Sequence, residues 1–247
     1  MSYTTSQINS QVKAAKLLEK IVKEVFLYIK KNNNCTEYEV QQFILEKFDR
    51  YHLVTDEKRT PIVAFRKSTA NVHYYPPKKT SLRLKPDSLI MIDVWARLNK
   101  KKAVFADITW MGYYGKKAPA EIMKVYNLVI GARDLAVKHI QSELKKRKMP
   151  KGSATDLAAR DFITRAGHGH RFIHTTGHSL GLNHPHGDYQ GINTKNIRPL
   201  KTNVSYTIEP GVYIKNKFGV RSEINFYITS DFKLRLTTKL QKKLVYL

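Results

Sequence analysis

Two pairs of acids constrain this chain more than any other feature: the members of each pair lie fourteen residues apart, inside apolar strand-like runs. Asp93 lies in Leu89-Ile90-Met91-Ile92-Asp93-Val94-Trp95, and Asp107 in Val104-Phe105-Ala106-Asp107-Ile108-Thr109-Trp110. Glu209 lies in Thr207-Ile208-Glu209-Pro210-Gly211-Val212, and Glu223 in Gly219-Val220-Arg221-Ser222-Glu223-Ile224-Asn225. Polar turns separate the members, Asn99-Lys100-Lys101-Lys102 in the first pair and Lys215-Asn216-Lys217-Phe218-Gly219 in the second. Each unit therefore reads as a β-hairpin. If the acids oppose each other, the turns centre on Lys100 and on Asn216, and Asn is a residue that turns favour. Directly opposed residues share a face with Cβ atoms roughly 5 Å apart. Two ionised carboxylates that close repel unless a cation sits between them. For one hairpin alone, ordinary solvent-facing acids would explain the pattern as well. A charge inside Ile-Met-Ile-Asp-Val-Trp, however, needs a partner. The equal spans predict an internal duplication around one four-carboxylate site.

The remaining periodicities are duplicated too. Ala14, Leu17, Leu18, Ile21, Val22, Val25 and Ile29 recur at helical spacing and predict a helix over 12–31, ended by Asn32-Asn33-Asn34. Thr36 and Glu39 form a capping box for a second helix, with Val40, Phe43, Ile44 and Phe48 as its buried face. A short strand over 61–66 and a loop over 69–88 lead to the first hairpin. The order then returns. A long helix is predicted over 118–147, a break at Pro150 and Gly152, and a shorter helix to 166 capped by Ser153 or Thr155. A Gly- and His-rich segment over 167–187 precedes the second hairpin. This predicts an α+β fold of two related halves whose sheets meet at one carboxylate-lined face. Because both halves supply that face, the expectation is a single domain over 1–247, with helices over 10–50 and a metal-binding core over 60–230.

Composition narrows the class. At 247 residues and 42% hydrophobic, the chain can build a substantial core. No apolar run approaches the roughly 18 residues of a membrane span, and the first residues lack a basic-then-apolar leader. Membrane association is not expected. The single Cys35 excludes an internal disulfide and a Cys-based metal site, which suits a cytoplasmic location. Lys and Arg outnumber Asp and Glu by 44 to 20, a formal charge of +24. The basic residues are scattered and no nucleic-acid fold motif is present, so a generally basic surface is the simpler account.

His174 and His178 stand four apart, but Gly177 and Gly181 argue against a helix there. No Glu follows the first His, which excludes the helical zinc-peptidase motif. Beside four acids, His178 becomes a candidate nitrogen ligand. In this order the five residues resemble the pita-bread metallopeptidases, the family of aminopeptidase P, prolidase and methionine aminopeptidase. The matching segments are Ile-Asp-Val at Asp93, Asp-Ile-Thr at Asp107, Thr-Gly-His-Ser-Leu-Gly at His178, Ile-Glu-Pro-Gly at Glu209 and Arg-Ser-Glu at Glu223.

The resemblance implies a pita-bread fold, a curved and mainly antiparallel sheet around two divalent metal ions. It implies that Asp93 chelates one metal, that Asp107 and Glu223 bridge both, and that His178 and Glu209 complete the second. Glu209 would shuttle the proton of a metal-activated bridging water. Two substrate histidines are implied. His73 in Asn71-Val72-His73-Tyr74 matches the first; His186, or else His184, matches the second. Oxygen ligands with one imidazole suit Mn²⁺ and also accept Co²⁺, Fe²⁺ or Zn²⁺.

Arg221 before Glu223, and Tyr74 after His73, look like the aminopeptidase P and prolidase branch, with Arg221 among the substrate-binding residues. The implied activity is removal of an N-terminal residue from Xaa-Pro peptides. Xaa-Pro dipeptidase or methionine aminopeptidase activity is the alternative, the latter because only helices over 10–50 precede the core. Trp110 stands where many relatives have Arg, and is expected to alter a loop near the site. The partner implied is a peptide substrate, with room for a homodimer. Relatives without metal ligands serve as binding modules, so a nucleic-acid or ribosome contact through the basic surface is the non-enzymatic alternative.

Overall fold

Thr4 and Gln7 cap each other's backbone N–H groups, so α1 (Thr5–Lys31) begins well before the expected residue 12 and ends at Asn32. The computed structural model describes residues 2–56 and 60–247. α2 (Glu37–Arg50) opens on the Thr36–Glu39 capping box. β1 (Leu53–Val54), β2 (Ile62–Phe65) and a 3₁₀ turn over 66–70 lead to β3 (Ser88–Leu98) and β4 (Ala106–Tyr114). The second half repeats the helix pair with α3 (Ala120–Lys145) and α4 (Gly152–Arg165). Neither Ser153 nor Thr155 caps α4. The cap is Lys151, and the Thr155 hydroxyl donates to the Lys151 carbonyl at 2.9 Å from inside the first turn. β5 (Ser205–Ile208), β6 (Gly211–Ile214), β7 (Phe218–Arg221), β8 (Ile224–Ile228), β9 (Leu234–Leu236) and β10 (Val245–Tyr246) complete the chain.

Strand parity decides what each face meets. Even-numbered residues of β3 and β4, among them Ile90, Ile92, Val94 and Ile108, join the apolar stripes of α1 and α2, including Leu18, Val22 and Val25. Odd-numbered Leu89, Met91, Trp95 and Met111 pack with α3 residues Val129, Ala132 and Ala136 and with β5 and β8. Each such aliphatic side chain contributes about 1.5–3 kcal/mol of burial. The sheet is thus apolar on both faces, and Asp93 and Asp107 are polar exceptions on the face toward the second half. Trp110, being even-numbered, packs on the α1 side. It lies away from the acids, contrary to expectation.

The two hairpins have equal acid spacing but different registers. Asp93 pairs with Thr109, and Asp107 with Trp95, so the first two acids are diagonal rather than opposed. Residues 103–105 leave the ladder before β4 begins, with Phe105 N–H donating to the Gly181 carbonyl at 2.9 Å. That shifts the turn centre past Lys100. In the second hairpin one register runs through both pieces: Ile208 faces Ile224, and Gly211 faces Arg221. Glu209 therefore falls opposite Glu223, with Asn216 at the turn at φ 61°.

The ladder is broken at those acids. Glu209 N–H turns to the Thr176 carbonyl at 2.7 Å, and Glu223 N–H to the Thr109 carbonyl at 3.3 Å. Each acid is thereby tied to a segment carrying other site residues.

The second edge of β4 is satisfied mostly without a full strand. The Asn225 amide accepts from Asp107 N–H at 3.0 Å and donates to the Asp107 carbonyl at 2.5 Å. The Gln241 amide does the same for Met111, at 2.8 and 2.6 Å. β10 pairs only with Gly112 and Tyr113. Side-chain amides thus stand in for a missing backbone partner, which buried N–H and C=O groups require.

Candidate metal centre

The acids of the two hairpins meet on the shared face between the halves, together with His178 from the loop that runs antiparallel beside β5. His178 N–H donates to Thr207 Oγ1 at 3.0 Å, and its carbonyl accepts from Thr207 N–H at 2.8 Å. Gly177 permits this approach, because a Cβ there would lie 2.2 Å from the Thr207 carbonyl oxygen. The segment is extended, as the glycines imply.

His178 Nδ1 donates to its neighbour's Ser179 carbonyl at 2.9 Å, which leaves Nε2 as an acceptor. That Nε2 lies 3.2 Å from Glu209 Oε1 and 3.8 Å from Asp107 Oδ2. Ligand atoms of Asp107, His178 and Glu223 all lie within 4.8 Å of one another. On the other side, Thr109 Oγ1 is 2.8 Å from Asp93 Oδ1 and 3.0 Å from Glu223 Oε2. A single hydroxyl proton serves only one of these two oxygens.

The electrostatics are those of anions forced together out of water. Burial first, then Asp93 and Glu209, raise the Asp107 carboxyl well above the usual range. Burial, then Asp107 and Glu209, do the same to Glu223. Burial pushes Glu209 up to about 7 against the opposing pull of Arg221 and His186. Burial also lowers His178 to about 4, so its ring is neutral at physiological pH. Asp107 Oδ1 and Glu223 Oε1 are buried with no hydrogen-bond partner. Orphan oxygens, carboxyls raised for want of countercharge and a neutral imidazole aimed among them fit divalent cations.

Arg221 is buried and donates to Asp93 Oδ2 through Nη2 and to Thr109 Oγ1 through Nε at 3.1 Å. Desolvation alone would lower its pKa, but Asp93, Tyr213 and Glu209 hold it above its ordinary value. Its Nη1 donates to the Tyr213 hydroxyl at 3.1 Å, and that oxygen is 2.9 Å from His174 Nε2. His174 Nδ1 donates to the Thr175 carbonyl at 2.8 Å, so Tyr213 donates to Nε2. Burial, with Arg221 nearby, lowers His174 to about 3.

A cavity of about 100 Å³ opens onto the acids, with Ile62, Val72, Trp95 and Pro185 as apolar walls. His73 and His186 both line it, and the His186 ring stacks on His178 at 3.9 Å between centroids. His184 instead lies 69% exposed beside Asp56.

Some of this was not anticipated from sequence. Thr109, His174 and Tyr213 complete the site; Thr109 and His174 stand in the Asp-Ile-Thr and His-rich segments, whereas Tyr213 carries no sequence signal. Its carrier loop is held by α4: Asp156 accepts from Thr176 N–H and Oγ1 at 3.1 and 2.7 Å, while Arg160 donates to the carbonyls of Phe172 and His174. The His73 loop is held by Glu37, a buried acid that accepts from Phe65 N–H, the Tyr74 hydroxyl and Leu82 N–H at 2.6–2.7 Å.

Residues 11–230 match metallopeptidase family M24 (Peptidase_M24). An uncharacterized peptidase of Staphylococcus aureus is 28% identical over 225 residues, 91% of this chain and 59% of that protein. The chain thus spans about three fifths of such curated relatives. Among solved structures, a dipeptidase from Pyrococcus horikoshii superposes with a TM-score of 0.85 at 27% identity, covering 100% of this chain and 64% of that one. An X-Pro aminopeptidase from Thermotoga maritima gives 0.83 at 25% identity, covering 100% and 65%.

Proposed function

This chain belongs to metallopeptidase family M24, with its pita-bread α+β fold, and we propose that it is a dinuclear-metal-dependent aminopeptidase acting on Xaa-Pro peptides. The observation that carries the reading is the cluster of buried Asp107, His178 and Glu223 with half-buried Glu209, facing Asp93, with two carboxylate oxygens unpartnered. Asp93, Asp107, His178, Glu209 and Glu223 would hold the metals. Hard oxygen donors with one imidazole favour Mn²⁺, and Co²⁺, Fe²⁺ and Zn²⁺ fit the same donors. When bound, the metals supply Lewis-acid polarisation and water acidified toward neutrality.

The chain's own residues supply the rest. Glu209, whose Oε1 lies 3.2 Å from His178 Nε2 among the candidate ligands, would take a proton from the attacking water and return it to the leaving nitrogen. His73 and His186 face the cavity, where an N–H from either would bind the peptide carbonyl and the charge developing on its oxygen. Arg221 fixes Asp93 and, through Tyr213, orients His174. The apolar walls formed by Ile62, Val72, Trp95 and Pro185 exclude water and suit a compact ring such as proline. Arg-Ser-Glu at Glu223 and the likeness to an X-Pro aminopeptidase support the substrate class. The likeness to a dipeptidase favours Xaa-Pro dipeptide cleavage as the second reading. One free, buried Cys35 suits a reducing cytoplasm, and among the described residues no helix is long and apolar enough to cross a membrane.

The test is hydrolysis by metal-stripped protein reloaded with Mn²⁺, Co²⁺ or Zn²⁺, using Ala-Pro, Ala-Pro-Ala and Met-Ala-Ala. Release of Ala from Ala-Pro-Ala alone is the expected result. Cleavage of Ala-Pro alone moves the protein to the dipeptidase reading, and cleavage of Met-Ala-Ala alone rejects the Xaa-Pro assignment. Failure to bind metal removes the enzyme reading.

A further inference from the structure

A second hollow of about 850 Å³ is lined by residues adjacent in sequence to those that line the catalytic cavity. The two are built from alternate residues of the same segments. Val72, His73 and His174 line the cavity, whereas Asn71, Tyr74 and Ile173 line the larger cleft. Tyr213 also lines the cleft, while its hydroxyl bonds His174 and Arg221 on the catalytic side. The cleft's charged side chains are Lys67, Arg171 and Lys215, with His170 beside them and no acid in the lining. Among the described residues, none of these three cations forms an ion pair with a carboxylate. Ile173, 65% exposed, and Ile214 give the cleft an apolar floor between the charges.

We propose that this cleft is a docking site for an acidic segment of the peptide substrate. Its volume is that of a ligand site rather than a crevice, and cations without a carboxylate partner around an apolar floor match a chain alternating carboxylates with aliphatic groups. Nucleic acid fits less well. Base stacking needs open aromatic faces, and the cleft's two rings, Tyr74 and Tyr213, are turned inward with their hydroxyls bonded to Glu37 and Arg221. The inference rests on the peptidase reading of the neighbouring cavity. Its consequence is a preference for substrates with Asp or Glu away from the scissile bond.

Because the whole molecule carries +24, the experiment must separate the cleft from diffuse charge. Binding of a labelled Ala-Pro-Glu-Leu-Asp-Glu peptide, and of its Gln/Asn counterpart, is measured by fluorescence anisotropy on full-length protein in chelator, where no hydrolysis intervenes. Three proteins are compared: the unsubstituted chain, Lys67→Gln/Arg171→Gln/Lys215→Gln, and Lys100→Gln/Lys101→Gln/Lys102→Gln. The last loses equal charge at the β3–β4 turn, which lines a different hollow.

The expected result is that the acidic peptide binds about tenfold more tightly than the neutral one at low salt in the unsubstituted chain and the turn variant. The cleft variant should lose that preference while keeping its circular dichroism spectrum. Equal binding of the two peptides overturns the proposal, as does equal loss in both variants. Displacement of the acidic peptide by a single-stranded RNA that binds more tightly would assign the cleft to nucleic acid instead. A failure of peptide hydrolysis would count against the catalytic reading and leave this binding result to be judged separately.

Discussion

Desolvated carboxylates are expensive, and a chain that keeps four of them together must offset that cost locally. Arg221 does so for Asp93, and the Thr109 hydroxyl, within reach of both Asp93 and Glu223, donates its one proton to one of them. Thr109→Val keeps the shape and removes the hydroxyl, and is expected to weaken metal binding by about 10–100-fold. Isothermal titration with Mn²⁺ would read the change, and unaltered affinity would show that Thr109 only fills space. Glu209→Gln keeps an oxygen donor but cannot carry the proton. Its kcat on an Xaa-Pro peptide should fall by about 10²–10⁴, and an unchanged kcat would take Glu209 out of the proton path. The acids were legible in the sequence because a charge in an apolar strand is an anomaly. Thr109 and Tyr213 were not, because Thr and Tyr are ordinary strand residues and their roles exist only once Arg221 and His174 are brought beside them.

At the scale of elements, both hairpins form as their spacing predicts, but only the second takes the expected register. Asn216 takes the left-handed conformation at the centre its spacing demanded. The first turn absorbs extra residues, so equal acid spacing produced a diagonal pair. Loop length and register are separable, and spacing alone does not reveal which has changed. The His178 segment was legible as non-helical from its glycines, but its pairing with β5 is a long-range fact. The side-chain amides that sew β4 to the second half were also hidden, since an Asn in a strand carries no mark of its partner. Asn225→Ala strands the buried N–H and carbonyl of Asp107, at roughly 1–3 kcal/mol for each group. Urea unfolding should show a loss of about 2–6 kcal/mol; a loss under about 1 kcal/mol would mean that water replaces the amide.

For the whole molecule, the site makes stability depend on metal and pH together. Asp107, Glu209 and Glu223 have folded-state pKa values above their ordinary ones. The stability they contribute is full below their unfolded values and is lost as pH rises through the folded values. His174 and His178 have the opposite sign, and oppose this only below their unfolded value of 6.5. Metal-free protein is therefore expected to show a Tm that falls as pH rises from 6.5 through the Glu209 value of about 7. Saturating Mn²⁺ should flatten that slope, because it supplies the missing countercharge and binds only the folded state. A metal-free Tm that rises across the same window would reject the assignment of these carboxyls. The division into two halves was legible from repeated periodicity. Their junction was not, because β4 is closed by residues far along the chain. That closure has a consequence for biosynthesis. Met111 precedes its amide partner Gln241 by 130 positions, so a ribosome finishes β4 long before anything can cover its second edge. Throughout that interval the nascent chain carries an open, apolar β edge. The hours of greatest danger for this protein, in miniature, are the seconds before Asn225, Gln241 and Val245 emerge.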